Sequence, residues 1–316
     1  MAAPVYRERV LDGCLLRAFG LKSPNMRAID QEVASQPDMW RRAIELGPGA
    51  QLPEAGRRLA VAGCGTSLFI AQAYAAAREA AGAGETDAWP ASEFPRDRRY
   101  DALLVLSRSG TTTEVLDLLR SDHGIPETYA ITGVPASPLA ELAGTTVALP
   151  FADERSVVQT RFATTALVLL LAHAGVDLSA SVSAAERVLT EPLPLDPARF
   201  RRFQFLGTGW TVGLASEAAL KLREAARAWA ESYPAMEYRH GPISLADPDT
   251  AVIAFGLLDP SLAEQIAATG ATLLIPEPAA PLAALTLAHR LAIALAEAGD
   301  LDPDAPRNLT RSVVLS

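Results

Sequence analysis

Cysteine is nearly absent from this chain, with Cys14 and Cys64 the only two in 316 residues. Two unpaired cysteines without a Cys/His cluster exclude a disulfide scaffold and a zinc site, and they fit a reducing cytoplasm. Lysine is equally scarce: Lys22 and Lys221 stand against 26 arginines. No run of basic residues occurs, and the formal net charge is -9. A nucleic acid or an anionic membrane, both of which need a basic patch, is therefore not an expected partner. The longest apolar stretch, Phe162 to Val176, contains Thr164, Thr165 and His173 and falls short of a membrane span. It reads as a buried helix. The opening residues include Arg7, Glu8, Arg9 and Asp12 and hold no hydrophobic signal core. Nucleotide fingerprints are missing too, since G-x-G-x-x-G would need glycine where Leu68 and Val212 stand, and no Lys follows the glycine turns. No cofactor and no metal is expected.

What the chain does have is a programme of strands alternating with helices, the pattern of a parallel sheet covered on both faces. Residues 1–25 form an arm of unknown order. A helical period from Met26 to Leu46 closes at Gly47-Pro48-Gly49. Strands are predicted at Leu59 to Ala62, Thr86 to Trp89, Ala102 to Leu106, Glu127 to Thr132 and Thr145 to Leu149. Helices are predicted at Leu68 to Ala81, Thr112 to Arg120 and Arg161 to Ala174. The proline-rich stretch from Thr190 to Pro197 resists both structures and marks a domain boundary. The programme then restarts with a strand at Phe203 to Leu206 and a long helix at Thr211 to Ala230. Strands at Ala251 to Phe255 and Ala271 to Ile275 and a helix at Leu282 to Ala298 complete it. Val61-Ala62-Gly63-Cys64-Gly65-Thr66-Ser67 is echoed by Phe205-Leu206-Gly207-Thr208-Gly209-Trp210-Thr211. The expected fold is α/β: two tandem doubly wound domains, 26–189 and 198–316, each a parallel sheet flanked by helices.

Two segments carry chemistry. Ser107, Ser109, Thr111 and Thr112 surround Gly110 where an apolar strand empties into a helix. Free N–H groups, the helix dipole and four hydroxyls then face one point, which suits a phosphate ester. The plainer reading is a loop whose Ser or Thr only caps the helix. The second segment sets Glu217, Lys221 and Glu224 four and then three residues apart, on one helical face, upstream of His240-Gly241-Pro242. A solvated Glu/Lys ladder is the plain alternative. A carboxylate, an ammonium and an imidazole near a bound phosphosugar are the groups needed to shuttle a proton between adjacent carbons.

These motifs, with Cys64-Gly65-Thr66-Ser67, Glu154 with Gln159-Thr160, and the terminal Pro306-Arg307-Asn308-Leu309-Thr310-Arg311-Ser312-Val313, occur in order over residues 27–316. The chain thereby resembles tandem sugar isomerase (SIS) domain proteins, among them the isomerase half of glucosamine-6-phosphate synthase and stand-alone amino-sugar-6-phosphate deaminases and isomerases. The resemblance implies that Ser107, Ser109 and Thr112 hold the sugar phosphate, with Thr111 beside them. It implies that Thr66, Ser67, Gln159, Glu217 and Arg311 line the sugar. Glu224 would be the base between C1 and C2, Lys221 its neighbour, and His240 the ring-opening residue supplied across a homodimer with shared active sites. At the terminal motif the synthase has a lysine that forms an imine with the ketose, and here Arg311 stands in its place. A guanidinium stays protonated and is a poor nucleophile, which argues against imine chemistry. Arg108 replaces a synthase glutamine; it either adds charge to phosphate binding or points to solvent, the second being the expectation. No glutaminase segment precedes the matched region. The expected activity is therefore an aldose-ketose isomerase or a deaminase on a hexose or hexosamine 6-phosphate, with Glu224 held at a raised pKa. A non-catalytic phosphosugar sensor is the alternative.

Overall fold

Short apolar runs bounded by turns become the buried central strands. The computed structural model describes residues 26–315, and the arm expected at 1–25 lies outside the described residues. The first sheet consists of β1 (Leu59–Gly63), β2 (Thr86–Pro90), β3 (Ala102–Leu106), β4 (Glu127–Thr132) and β5 (Thr145–Ala148), all parallel, in the order β2-β1-β3-β4-β5. The second consists of β6 (Arg202–Gly207), β7 (Trp229–Pro234), β8 (Thr250–Phe255) and β9 (Thr272–Leu274), parallel in the order β7-β6-β8-β9. Every residue of β1, β3 and β8 is buried, as expected of strands covered on both faces.

The helices are α1 (Ala28–Ala34), α2 (Gln36–Leu46), α3 (Thr66–Ala80), α4 (Thr113–Arg120), α5 (Pro138–Leu142), α6 (Arg161–His173), α7 (Ser179–Thr190), α8 (Thr211–Ala226), α9 (Pro260–Ala268) and α10 (Pro281–Ala298). One apolar cluster runs through both sheets, taking in Trp40, Leu104, Leu167, Phe205, Leu214 and Leu285. It crosses the proline-rich stretch at 190–197, so the two sheets share a core. Helix α10 is long and apolar enough by length and composition to cross a membrane, but 67% of it is buried inside this fold, packed against α7 and α8. It is a core helix. The C-terminal segment returns to the first sheet: the Asp304 carboxylate accepts the Ala28 and Ile29 N–H groups at 2.7 and 2.8 Å and caps α1.

The internal repeat has a steric cause. A Cβ on Gly63 would lie 2.8 Å from Ser67, and one on Gly207 would lie 2.4 Å from the Thr211 carbonyl, so both strand-to-helix turns exclude any side chain.

Four expectations are corrected. The single helix from Met26 to Leu46 breaks at Ser35, because Pro37 starts a new helix and cannot continue the old one. Helix α7 arises where no element was expected. The helix expected to reach Ala230 stops at Ala226, where Arg227 turns left-handed (φ 53°), and Trp229–Pro234 becomes the edge strand β7. Helix α9, also unexpected, starts at Asp259-Pro260, a cap followed by an N1 proline.

Candidate active site

Strand order in the first sheet reverses between β1 and β3, so the loops after these strands diverge and leave a crevice at their carboxyl ends. The turn after β1, Cys64-Gly65, leads into α3, whose first residues are Thr66 and Ser67. The loop after β3 is Ser107 to Thr112. Both therefore border one crevice because β1 and β3 are paired neighbours.

The four hydroxyls of the second loop converge. Ser107 Oγ lies 3.3 Å from Thr112 Oγ1 and accepts the Gly110 N–H, while Ser109 Oγ accepts the Thr111 N–H at 3.2 Å and lies 3.1 Å from Thr111 Oγ1. Thr112 is the N-cap of α4, yet its side chain makes no capping bond. Gly110 approaches Ser137 closely, since a Cβ there would fall 2.2 Å from Ser137 Oγ.

Arg108 does not point to solvent. It is 2% exposed and donates to the carbonyls of Ser156, Val157 and Arg311 at 2.9, 3.2 and 2.9 Å, with Glu154 Oε2 3.8 Å away. Burial pulls its pKa down and Glu154 opposes that shift. Glu154 in turn accepts the Thr160 and Arg161 N–H groups, each at 2.7 Å, at the start of α6. Arg311 does not extend as a free side chain: it pairs with Asp153 at 2.5 Å and donates to the Glu154 carbonyl. Gln159 is half-buried, and its Oε1 is buried without a partner among the described residues. Ser67 is 6% exposed at the start of α3.

Helix α8 brings its charged face to the same crevice. Gly213 lets it lie against α3, since a Cβ there would be 2.6 Å from Phe69 O and Ala73 N. That crossing places Lys221 Nζ 2.9 Å from Thr66 Oγ1, 2.5 Å from Glu224 Oε2 and 3.4 Å from Glu217 Oε1. The Thr66 hydroxyl donates to Glu217 Oε1 at 3.3 Å. The face is no solvated ladder, with Glu217 at 0% and Lys221 at 1% exposure. Burial raises the Glu217 carboxyl, pushing it up to about 7 against the attraction of Lys221. Burial also opposes the Lys221 charge, but Glu217 and Glu224 outweigh it and the net shift is upward. Glu217 Oε2 has no partner among the described residues. The Glu224 side chain is 20% exposed and borders an open cleft of about 210 Å³ lined also by Arg227, Asp302 and Arg307.

His240 stands apart. It ends the 3-10 turn after β7, is exposed, and its side chain makes no hydrogen bond among the described residues. His289, which sequence reasoning passed over, is buried on α10, where burial and Lys221 hold its pKa down at about 3. Gln36 Nε2 lies 2.9 Å from its Nδ1, and Thr286 donates to Gln36 Oε1 at 2.7 Å. Its signal in the sequence was faint: one of four histidines, on an apolar face.

Residues 52–174 match the SIS domain family. The chain is similar to glutamine–fructose-6-phosphate aminotransferases (isomerizing): that of Bradyrhizobium diazoefficiens is 29% identical over 320 residues, covering 82% of this chain and 52% of the aminotransferase. The chain thus spans about half the length of the curated relative it matches. Among solved structures, a glucosamine-6-phosphate deaminase from Thermotoga maritima aligns with a TM-score of 0.78 at 26% identity, covering 92% of this chain and all of that one. The tagatose-6-phosphate ketose/aldose isomerase of Escherichia coli shares the fold at 20% identity, with a TM-score of 0.73 over 94% and 98% of the two chains. The SIS match contains the hydroxyl loop and Thr66, while Lys221 and Glu224 lie outside it.

Proposed function

We propose that the chain is a sugar-phosphate isomerase or deaminase acting on a hexose or hexosamine 6-phosphate in the cytoplasm. In this reading residues 26–189 and 198–316 are two SIS-type units, and the site lies between them. The observation that carries it is the Thr66–Lys221–Glu224 connection, which joins the crevice of the hydroxyl loop to a partly exposed carboxylate. Ser107, Ser109, Thr111 and Thr112 hold the phosphate. Ser67, Gln159 and Glu217 face the sugar, and Gln159 Oε1 and Glu217 Oε2 are the buried acceptors still without partners. The relationship to a deaminase at 26% identity supports the amino-sugar branch.

Glu224 removes the proton from C2 of the open-chain aldose and returns it to C1, while the electron pair passes through the enediol or enolamine. Lys221 fixes the Glu224 carboxylate by their short contact. With a 2-amino sugar the product is an imine at C2, which water hydrolyses to the ketose and ammonia. Arg311 is committed to Asp153 and the Glu154 carbonyl, so no imine to the protein is invoked. His240 opens the ring of a sugar bound by a second copy, in keeping with its exposure and its separation from Lys221 within one chain.

Glu224→Gln is expected to abolish ammonia release and ketose formation across a panel of 6-phosphosugars while leaving their binding intact. Mixing Glu224→Gln with His240→Asn protein is expected to restore part of the activity. Full turnover by the first variant would overturn the assignment of the base, and no restoration in the mixture would overturn the shared site.

A further inference from the structure

The hydroxyl loop is already occupied by the chain itself. Ser312 Oγ accepts hydrogen bonds from Ser109 Oγ at 3.1 Å and Thr111 Oγ1 at 2.9 Å, two donors converging on one oxygen. The Thr113 N–H at the start of α4 donates to the Val313 carbonyl at 3.1 Å. The Leu315 N–H donates to Thr113 Oγ1 at 2.9 Å, and Arg108 holds the Arg311 carbonyl at 2.9 Å. An oxygen bound by two hydroxyls, beside a carbonyl bound by a helix N-terminal N–H, takes the donors that a phosphate would use.

We infer that the segment from Arg311 to Leu315 is a displaceable occupant of the phosphate loop, with Ser312 Oγ standing where a phosphate oxygen binds. The inference rests on the phosphosugar reading and adds to it a competition that sets the affinity of the loop. Ser109, Thr111 and Thr113 cannot serve both partners in this arrangement, because each hydroxyl or amide has one hydrogen to donate. Little holds the segment except these bonds: Val313, Val314 and Leu315 are 50%, 69% and 61% exposed and bury little apolar surface. The anchor at Arg108 and Arg311 lies upstream of Ser312, so the end of the segment can swing away while its base stays attached. The trade is lopsided in favour of a dianion, since charge-assisted bonds are about twice as strong as neutral ones.

The test is hydrogen exchange on the full chain with and without saturating inorganic phosphate, repeated with glucosamine 6-phosphate. Protection of the Leu315 amide, which donates to Thr113 Oγ1, is expected to fall when either probe binds. Ser312→Ala, which removes the shared acceptor, is expected to tighten inorganic phosphate binding about threefold to tenfold. Ser312→Asp, which places a carboxylate in the loop, is expected to weaken it more than tenfold. Binding with unchanged or increased protection of the Leu315 amide, or an unchanged affinity in Ser312→Ala, would overturn the inference alone. Failure of both probes to bind wild type and Ser312→Ala would overturn the phosphosugar reading with it.

Discussion

At the carboxyl end of β3 the chain enters α4 through Ser107 to Thr112, and at the matching place in the second sheet β8 enters α9 through Gly256 to Asp259. Both turns sit at the point where strand order reverses, where α/β sheets place their ligands. The contents differ. In the first, Thr112 makes no capping bond, and the Thr113 N–H and the hydroxyls are engaged by a loosely held segment. In the second, the Asp259 carboxylate accepts the Ser261 and Leu262 N–H groups at 3.0 and 3.2 Å and pairs with Arg239 at 3.1 Å. The Ser261 hydroxyl, which also donates to this carboxylate, and then the Leu262 N–H hold its pKa below the usual carboxylate range. Under the proposed function the first crevice exchanges an anion, while the second carries a covalently attached anion of its own. In that reading the same geometry yields a ligand loop or a structural cap according to whether a carboxylate stands at the N-cap.

The most damaging way to break this contrast is to make the first turn like the second. Thr112→Asp places a carboxylate at the N-cap of α4. Like-charge opposition at short range costs several kcal/mol, so phosphosugar binding is expected to fall more than a hundredfold without unfolding the chain. Calorimetric titration with glucosamine 6-phosphate checks this, and wild-type affinity would show that the phosphate binds elsewhere.

A second comparison sets Asp259 against Glu217, carboxylates shifted in opposite directions. Glu217 is raised to about 7 in the folded chain, above its unfolded value, so the folded state binds the extra proton between about pH 4.5 and 7. Its contribution to stability therefore declines as pH rises through that window, by up to about 3 kcal/mol. Asp259 behaves oppositely, giving stability that is present above its unfolded pKa and lost as pH falls through its folded one. In denaturant titrations Glu217→Gln is expected to flatten the decline between pH 4.5 and 7. A slope identical to wild type would show that Glu217 is ionised throughout.

The smallest effect is expected from the reverse exchange. Asp259→Ala removes the cap of α9 and is expected to lower the melting temperature by roughly 2 °C with turnover unchanged. It creates no phosphate site, because Gly256, Leu257 and Leu258 offer no hydroxyls. Phosphate protection of this variant against heat, beyond that of wild type, would contradict the importance given to the hydroxyls of the first loop.

Much of this was legible in the residues. Fully buried strands such as β3 declare themselves as unbroken apolar runs, and the Gly63 and Gly207 turns as a repeat, because sterics there admit no alternative. Edge strand β7 was not legible, because Trp229-Ala-Glu-Ser-Tyr-Pro234 is half-exposed and continues a good helix former. Arg108 was misread since a loop arginine is ordinarily solvated, and only the carbonyls of Ser156, Val157 and Arg311, 48 to 203 residues away, make its burial tolerable.

The sequence by itself determined the alternation of strands and helices, the hydroxyl loop after β3, and the spacing that puts Glu217, Lys221 and Glu224 on one face. These follow from nearest-neighbour sterics and helical period. Only the tertiary structure decided that Thr66 meets Lys221, that the raised carboxyl is Glu217, and that Ser312 fills the loop. Contacts between residues 155 to 203 positions apart depend on how α3 and α8 cross and where the C-terminal segment returns, and desolvation depends on everything packed around the group.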